Sequence, residues 1–130
     1  MSDTVFTMII NGELPSHRIY EDSKCIVIMD IHPVQPGHSL VISKKQIESI
    51  WDLDSSLYHH LWDVSSSVAR KLLEVTGSKR VSIIVDGEQV PHAHIQLIPT
   101  NEASDLHATP PSEPDHQALS QMAQKLKLEE

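Results

Sequence analysis

Two histidines and a glutamine alternate with apolar residues in the last third of the chain. Residues 91–99 read PHAHIQLIP, so His92, His94 and Gln96 stand at two-residue intervals. Successive side chains of a β-strand point to opposite faces, which would set these three groups on one face, about 6.5–7 Å apart. The pattern predicts a strand that presents a row of proton-exchanging and hydrogen-bonding groups, suited to an oxygen-rich substrate such as a polyphosphate.

A metal centre is the first alternative for such a histidine pair, because imidazole is the commonest metal ligand. A His-x-His pair supplies two ligands, whereas a structural zinc site needs four of the cysteine, histidine or carboxylate type. The one cysteine, Cys25, stands in a distant apolar run. The sequence therefore predicts no bound metal and no cofactor.

The size and charge of the chain exclude several classes of protein. Its 130 residues suffice for one domain with one core. No run of about 18 apolar residues and no secretory signal is present, and a lone cysteine fits a reducing compartment. A formal charge of -8 argues against nucleic-acid or acidic-membrane binding, which depends on clustered Lys and Arg. We expect a cytoplasmic protein without nucleic-acid or membrane partners.

The apolar patterns predict a mixed α+β domain. Asp3 and Thr4 precede an i, i+3, i+4 apolar pattern, which predicts an N-capped short helix that ends at Asn11 and Gly12. A long amphipathic helix is predicted over 53–73. Period-two and short apolar runs predict strands at 19–20, 25–30, 39–42, 81–85 and 92–98. Such an arrangement predicts a largely antiparallel sheet.

The chain changes character after Thr100. A polar stretch with three prolines follows, and residues 115–128 predict a terminal helix. We therefore divide the chain into a domain over 3–103 and a C-terminal extension over 104–130. The extension contains His107 and His116, which we interpret as surface residues. His59 and His60 in the long helix receive the same interpretation.

Residues 90–99 resemble the signature strand of the histidine triad (HIT) superfamily, His-φ-His-φ-His-φ-φ, with Gln96 in place of the third histidine. The resemblance continues in residues 6–15, 20–22 and 28–42, and covers the chain from about 4 to about 100. It implies a HIT-like α+β fold with about five strands, one long helix and a short N-terminal helix. Such proteins are usually homodimers that act on nucleotides.

The same resemblance implies roles for individual residues. His94 corresponds to the nucleophile that attacks the α-phosphorus and carries the nucleotidyl group. His92 would orient His94, and His38 matches a fourth histidine packed beside them. The positions that match the family's nucleotide-binding site are Val5, Phe6, Ile9, Asp30, Ile31, Asp86 and Gln89.

Within this set, Asp30 has a physical rationale of its own, because an acceptor-only carboxylate takes both hydroxyl protons of a ribose diol. A strand-end residue that bonds the following loop is the alternative. Asp86 departs from the asparagine usual in relatives, and its loop is short. A carboxylate near a phosphate is repulsive unless it is turned away or protonated.

Gln96 is the second departure from the family pattern. A histidine there can pass a proton to the leaving group, whereas a carboxamide only donates a fixed hydrogen bond. The His-x-His-x-Gln arrangement is similar to that of galactose-1-phosphate uridylyltransferase and diadenosine tetraphosphate phosphorylases, which transfer the nucleotidyl group to a phosphate-bearing acceptor.

Three functions follow, in order of preference. The first is a small nucleotide hydrolase or nucleotidyl transferase that acts on a purine nucleotide, a dinucleoside polyphosphate or a nucleotide conjugate. The second is a nucleotide-binding or signalling module with weak turnover or none, marked by Gln96 and Asp86. The third is a metal-dependent hydrolase, which would lose activity on chelation.

Overall fold

The computed structural model describes residues 2–129 and is built around one five-stranded sheet. The strands are β1 (Arg18–Glu21), β2 (Cys25–Met29), β3 (Ser39–Ser43), β4 (Arg80–Ile84) and β5 (His94–Thr100). Their order across the sheet is β1-β2-β3-β5-β4, and every neighbouring pair is antiparallel. The predicted α+β fold with an antiparallel sheet of about five strands is confirmed.

Three helices accompany the sheet: α1 (Val5–Ile10), α2 (Ser55–Thr76) and α3 (His116–Leu126). Thr4 caps α1 as predicted, since its hydroxyl accepts the Thr7 N–H at 3.1 Å. Helix α2 ends at Gly77, whose φ of 70° is left-handed and favours glycine. Among residues 2–129, none of the helices is long and apolar enough to cross a membrane.

Helices cover both faces of the sheet, which explains why every residue of β2 and β3 is buried. Helix α1 covers one face, where Phe6 and Ile9 form a small cluster with alternate residues of the two strands. Helices α2 and α3 cover the other face and form the larger core. Helix α2 was predicted over 53–73; it begins two residues later and ends three residues later than expected.

The C-terminal extension packs against the domain. Leu119, Ala123 and Leu126 of α3 are buried in the larger core. The backbone N–H of Leu128 donates to the carbonyl of Ile19 in β1 at 3.2 Å. Apolar burial and this hydrogen bond hold the extension beside strand β1.

Strand β5 begins at His94, so the prediction that His92 belongs to this strand is wrong. The carbonyl of Ala93 still accepts the Ser43 N–H at 3.2 Å, which continues the pairing with β3 for one residue. At His92 the ring turns into the interior, where Nε2 lies 2.6 Å from the Ser43 carbonyl. A buried imidazole must be hydrogen-bonded, and this contact takes His92 out of the regular alternation.

Asp22 joins the β1–β2 turn to α2. Its Oδ1 accepts the N–H groups of Lys24 and Cys25, and its Oδ2 lies 2.8 Å from the Tyr20 hydroxyl and 2.6 Å from His60 Nε2. Within the described residues, Asp22, Cys25 and His60 are the one group of possible metal ligands whose atoms lie within 4.8 Å of one another. The four hydrogen bonds to Asp22 connect the β1–β2 turn to α2.

Candidate active site

A cavity of about 620 Å³ opens on the face of the sheet that α1 covers. Ile28, Leu40 and Gln96 form its floor, since they lie opposite one another on β2, β3 and β5. Phe6 and Ile9 of α1 form an apolar wall. The volume is typical of a small-molecule site, and its mostly apolar lining with few polar groups suits a ligand with an apolar ring system.

Nine of the eleven predicted site residues line this cavity. They are Val5, Phe6, Ile9, Asp30, Ile31, Asp86, Gln89, His94 and Gln96. The other two, His92 and His38, are buried behind it, His92 next to His94 in the chain and His38 in contact with Gln96. The structure therefore brings the predicted residues together, with two of them in supporting positions.

The tautomer of His94 is fixed by a backbone carbonyl two residues earlier in the chain. Its Nδ1 lies 2.7 Å from the carbonyl oxygen of His92, and a carbonyl only accepts, so Nδ1 carries the proton. In the neutral ring Nε2 is then a lone-pair nitrogen, and it has no hydrogen-bond partner among residues 2–129. Phe6 packs edge-on against the ring, with 4.9 Å between centroids. The two contacts fix the orientation of the His94 ring at the cavity.

The His92 ring holds this arrangement from behind. Its Nε2–H donates to the Ser43 carbonyl, so Nδ1 accepts from the Thr4 hydroxyl at 2.6 Å. Burial lowers the pKa of His92, the Ser43 carbonyl opposes this, and charge on His94 lowers it further. A neutral ring with both nitrogens satisfied is the result. Thr4 and His92 are 88 positions apart, and sequence analysis did not connect them.

Two hydrogen bonds of the His38 ring fix the orientation of the Gln96 amide. The Val34 N–H donates to His38 Nδ1 at 3.2 Å, so His38 carries its proton on Nε2 and donates it to Gln96 Oε1 at 2.9 Å. Burial lowers the pKa of His38, while Asp30 and the Gln96 contact oppose this less strongly. Because the amide oxygen of Gln96 faces His38, its NH₂ group is available to an oxygen of a ligand.

Asp30 accepts a hydrogen bond from the loop that follows β2. This contact was the alternative to ribose binding in the sequence analysis. Its Oδ1 accepts the His32 N–H at 2.8 Å, and its Oδ2 lies 3.5 Å from His38 Nε2. A carboxylate offers about four lone-pair sites, so these contacts leave acceptors for a ligand. Ile31, beside it on the cavity wall, is 40% exposed. Asp30 therefore has a structural role that is compatible with ribose binding.

A second, smaller cavity of about 190 Å³ is also lined by His94. Trp51, which is 76% exposed, and Glu48 border it. Asp86 borders both cavities, and its Oδ1 accepts the Glu88 N–H at 2.9 Å. This hydrogen bond turns part of the carboxylate onto its own loop. His94 and Asp86 thus line both cavities.

The sequence and the fold are similar to those of known proteins. The HIT domain family matches residues 11–103. The chain is 31% identical over 113 residues to the Arabidopsis thaliana adenylylsulfatase HINT3, and the alignment covers 83% of this chain and 57% of that protein. The chain thus spans little more than half the length of that relative.

Two solved structures have the same fold. A HIT-like protein from Bartonella henselae, described as involved in cell-cycle regulation, has a TM-score of 0.86 at 28% identity and covers 95% of this chain and 93% of its own. A hypothetical histidine triad nucleotide-binding protein from Sulfolobus tokodaii has a TM-score of 0.80 at 26% identity, with 93% and 87% covered. The chain belongs to the HIT domain family.

Proposed function

We propose that the protein is a nucleotide hydrolase or nucleotidyl transferase that acts on the α-phosphate of purine nucleotide derivatives. The hydrogen bond from His94 Nδ1 to the His92 carbonyl carries the proposal, because it leaves Nε2 as an unprotonated nucleophile beside a cavity of suitable size. The names of the Arabidopsis and Sulfolobus proteins, an adenylylsulfatase and a nucleotide-binding protein, support a nucleotide ligand.

The proposed reaction has two steps. His94 Nε2 attacks the α-phosphorus, a P–N bond forms and the bond to the leaving group breaks. The imidazolium keeps its Nδ1–H on the His92 carbonyl, whose dipole stabilises the positive charge. Water or a phosphate then attacks the phosphorus, a P–O bond forms, and His94 leaves with the electron pair of the P–N bond; when water attacks, its proton passes to the solvent. The Gln96 NH₂ group donates to a phosphate oxygen but cannot serve as an acid.

The remaining lining residues suit the other parts of a nucleotide. Phe6, Ile9 and Val5 offer an apolar wall for the base, and Ile31 extends it. Asp30 offers acceptors to the ribose hydroxyls. In this proposal His92 and His38 are positioning residues, because each acts through the group it bonds.

Covalent labelling tests the proposal. The protein is mixed with an adenylated donor, quenched in alkaline denaturant and examined by mass spectrometry for an adenylyl group on His94. We expect a burst of label in the wild type and none in His94→Ala. His107→Ala, which changes an exposed histidine away from the cavity, should be labelled like the wild type. Label retained in His94→Ala would exclude the mechanism.

A binding module without turnover is the second candidate. It is favoured by Gln96, which cannot protonate a leaving group, and by Asp86, whose carboxylate borders both cavities. Tight mononucleotide binding without any label at His94 would select this candidate.

We further propose a homodimer. Strand β4 is an edge strand, and Ile83 and Val85 at this edge are 49% and 42% exposed. A second copy would cover them. Light scattering should give twice the chain mass for the wild type and a smaller mass for Ile83→Glu; an unchanged mass in the variant would place the contact elsewhere. A cytoplasmic location stays a prediction from the sequence.

A further inference from the structure

Two histidines that the proposed reaction does not use bound the cavity away from His94. His17, just before β1, and His116, the first residue of α3, both line it. His17 Nε2 lies 2.9 Å from His116 Nδ1, although the two residues are 99 positions apart. The interpretation of His116 as an exposed residue is confirmed, but this contact was not predicted.

The position of the pair follows from the sheet. The floor row runs from Gln96 through Leu40 to Ile28, and the next strand, β1, is preceded by His17. Three strand spacings of about 4.8 Å separate β5 from β1, which is about 14 Å. A nucleotide with its α-phosphate at β5 and its ribose near Asp30 would extend its base toward the pair.

Hydrogen bonds to the part of the extension that precedes His116 hold this residue in place. Gln35 Nε2 donates to the Asp105 carbonyl at 2.9 Å, and His32 Nδ1 donates to the Pro111 carbonyl at 3.0 Å. Together with the buried face of α3, these bonds fix the path of the extension that leads to His116, which lines the cavity. His116 is therefore a positioned group, although its side chain is exposed.

The pair has a definite hydrogen-bonding capacity. Two neutral imidazoles that share one proton leave one free donor and one free acceptor, at His17 Nδ1 and His116 Nε2. Reversing both tautomers exchanges the two roles. Neither of these nitrogens has a hydrogen-bond partner among residues 2–129. Burial lowers the pKa of His17 and charge on His116 lowers it further, which favours the neutral ring of His17.

We propose that the His17–His116 pair binds the outer edge of the purine base, and that the extension is thereby a base-recognition element. Adenine presents a donor beside an acceptor on its Watson–Crick edge, and guanine presents the same two groups in the opposite order. The two free nitrogens lie at opposite ends of the pair, so His116 Nε2 alone would meet the base edge, as a donor in one tautomer and as an acceptor in the other. This inference rests on the proposed function only for the identity of the ligand as a purine nucleotide.

Calorimetric titration with AMP, GMP and ribose 5-phosphate tests the inference, because the third ligand lacks a base. We expect His116→Ala to weaken AMP and GMP about three- to tenfold, the net value of one hydrogen bond, and to leave ribose 5-phosphate unchanged. His116→Gln keeps a donor and an acceptor and should retain most of the affinity. His107→Ala on the same extension is the matched control.

Equal weakening of AMP and ribose 5-phosphate would overturn the inference, since the pair would then act on the whole cavity or on the phosphate. Unchanged AMP binding in His116→Ala would overturn it as well. The outcome is separate from that of His94 labelling. Base-dependent binding without label at His94 would support the inference and contradict the proposed enzyme. Label at His94 without base dependence would support the enzyme and contradict the inference. A wild type that binds no AMP would contradict both.

Discussion

The Nδ1 atom of His94 lies 2.7 Å from the carbonyl oxygen of His92. Because the acceptor is a backbone atom, a side-chain substitution at position 92 does not delete it. The His92 ring instead holds the segment in place through the Ser43 carbonyl and the Thr4 hydroxyl. The orientation of His94 therefore depends on a helix cap that lies outside the cavity.

Thr4→Val tests that dependence. The variant removes the cap of α1 and leaves His92 Nδ1 without its donor, so the free energy of unfolding in urea should fall by about 1–2 kcal/mol. Thr4→Ser keeps the hydroxyl and should lose less than about 0.5 kcal/mol. Equal losses in both variants would mean that the methyl group of Thr4, and not its hydrogen bonds, stabilises this corner.

Asp30→Asn separates ribose binding from the loop contact. An asparagine oxygen still accepts the His32 N–H, whereas the charge offered to the ribose is lost. Binding of a ribonucleotide should weaken by about 1–3 kcal/mol, and binding of the 2′,3′-dideoxy analogue by much less. Calorimetry on both ligands measures the difference. If both weaken alike, Asp30 serves the loop alone.

Gln96→His should change the dependence on the leaving group. An amine must leave protonated, while a phosphate leaves as an anion, so adenosine phosphoramidates should gain rate in the variant much more than anhydrides. The gain is bounded by the roughly 10²–10⁴-fold that a general acid supplies. Steady-state rates on matched substrates measure it, and Gln96→Leu, which removes the amide, is the control for lost donation.

A parallel assay uses inorganic phosphate as the acceptor. The wild type should form the nucleoside diphosphate in a larger share of its turnovers than Gln96→His does. Unchanged partitioning together with unchanged leaving-group dependence would mean that position 96 does not contact the reacting group.

The Asp22 tie predicts a loss of stability in acid. Burial raises the pKa of this carboxyl, but hydrogen bonds from its four neighbours outweigh burial and hold the pKa well below its usual range. A carboxyl with a lowered pKa in the folded state stabilises the fold above its unfolded pKa of about 4, and this contribution is lost as pH falls further.

Asp22→Asn should therefore destabilise the protein by about 1 kcal/mol at pH 7, a value reduced by solvent screening, and by progressively less from about pH 5 to pH 2. Urea unfolding across this range measures the gap. Asp63→Asn, at an exposed position of α2, should show no such trend. A gap that stays constant with pH would assign the effect to packing.

The elements that depend on residues close together in the chain could be predicted from the sequence. Thr4 before an apolar pattern gives the cap of α1, and the alternation around His94 gives strand β5, because both depend on neighbours within a few positions. The cavity residues also followed, since the resemblance to the family assigned them by position. Their roles in binding and reaction stay predictions.

Contacts between segments that lie far apart in the chain could not be predicted from the sequence. His92 left the predicted strand because Ser43 and Thr4, 49 and 88 positions away, satisfy its two nitrogens. Nothing in the sequence near His17 indicates His116. A pair of polar groups from opposite ends of a chain can be predicted only when the path of the intervening backbone is known.

The two edges of the sheet differ in a way that limits self-assembly. At β1, the Ile19 carbonyl already accepts the Leu128 N–H, and an irregular register between Arg18 and Tyr20 disrupts further pairing. The opposite edge, β4, is open. A sheet that can grow on one side only closes after a single addition, because the two open edges consume each other. The extension that lines the cavity through His116 thus also protects part of the β1 edge from pairing with another strand.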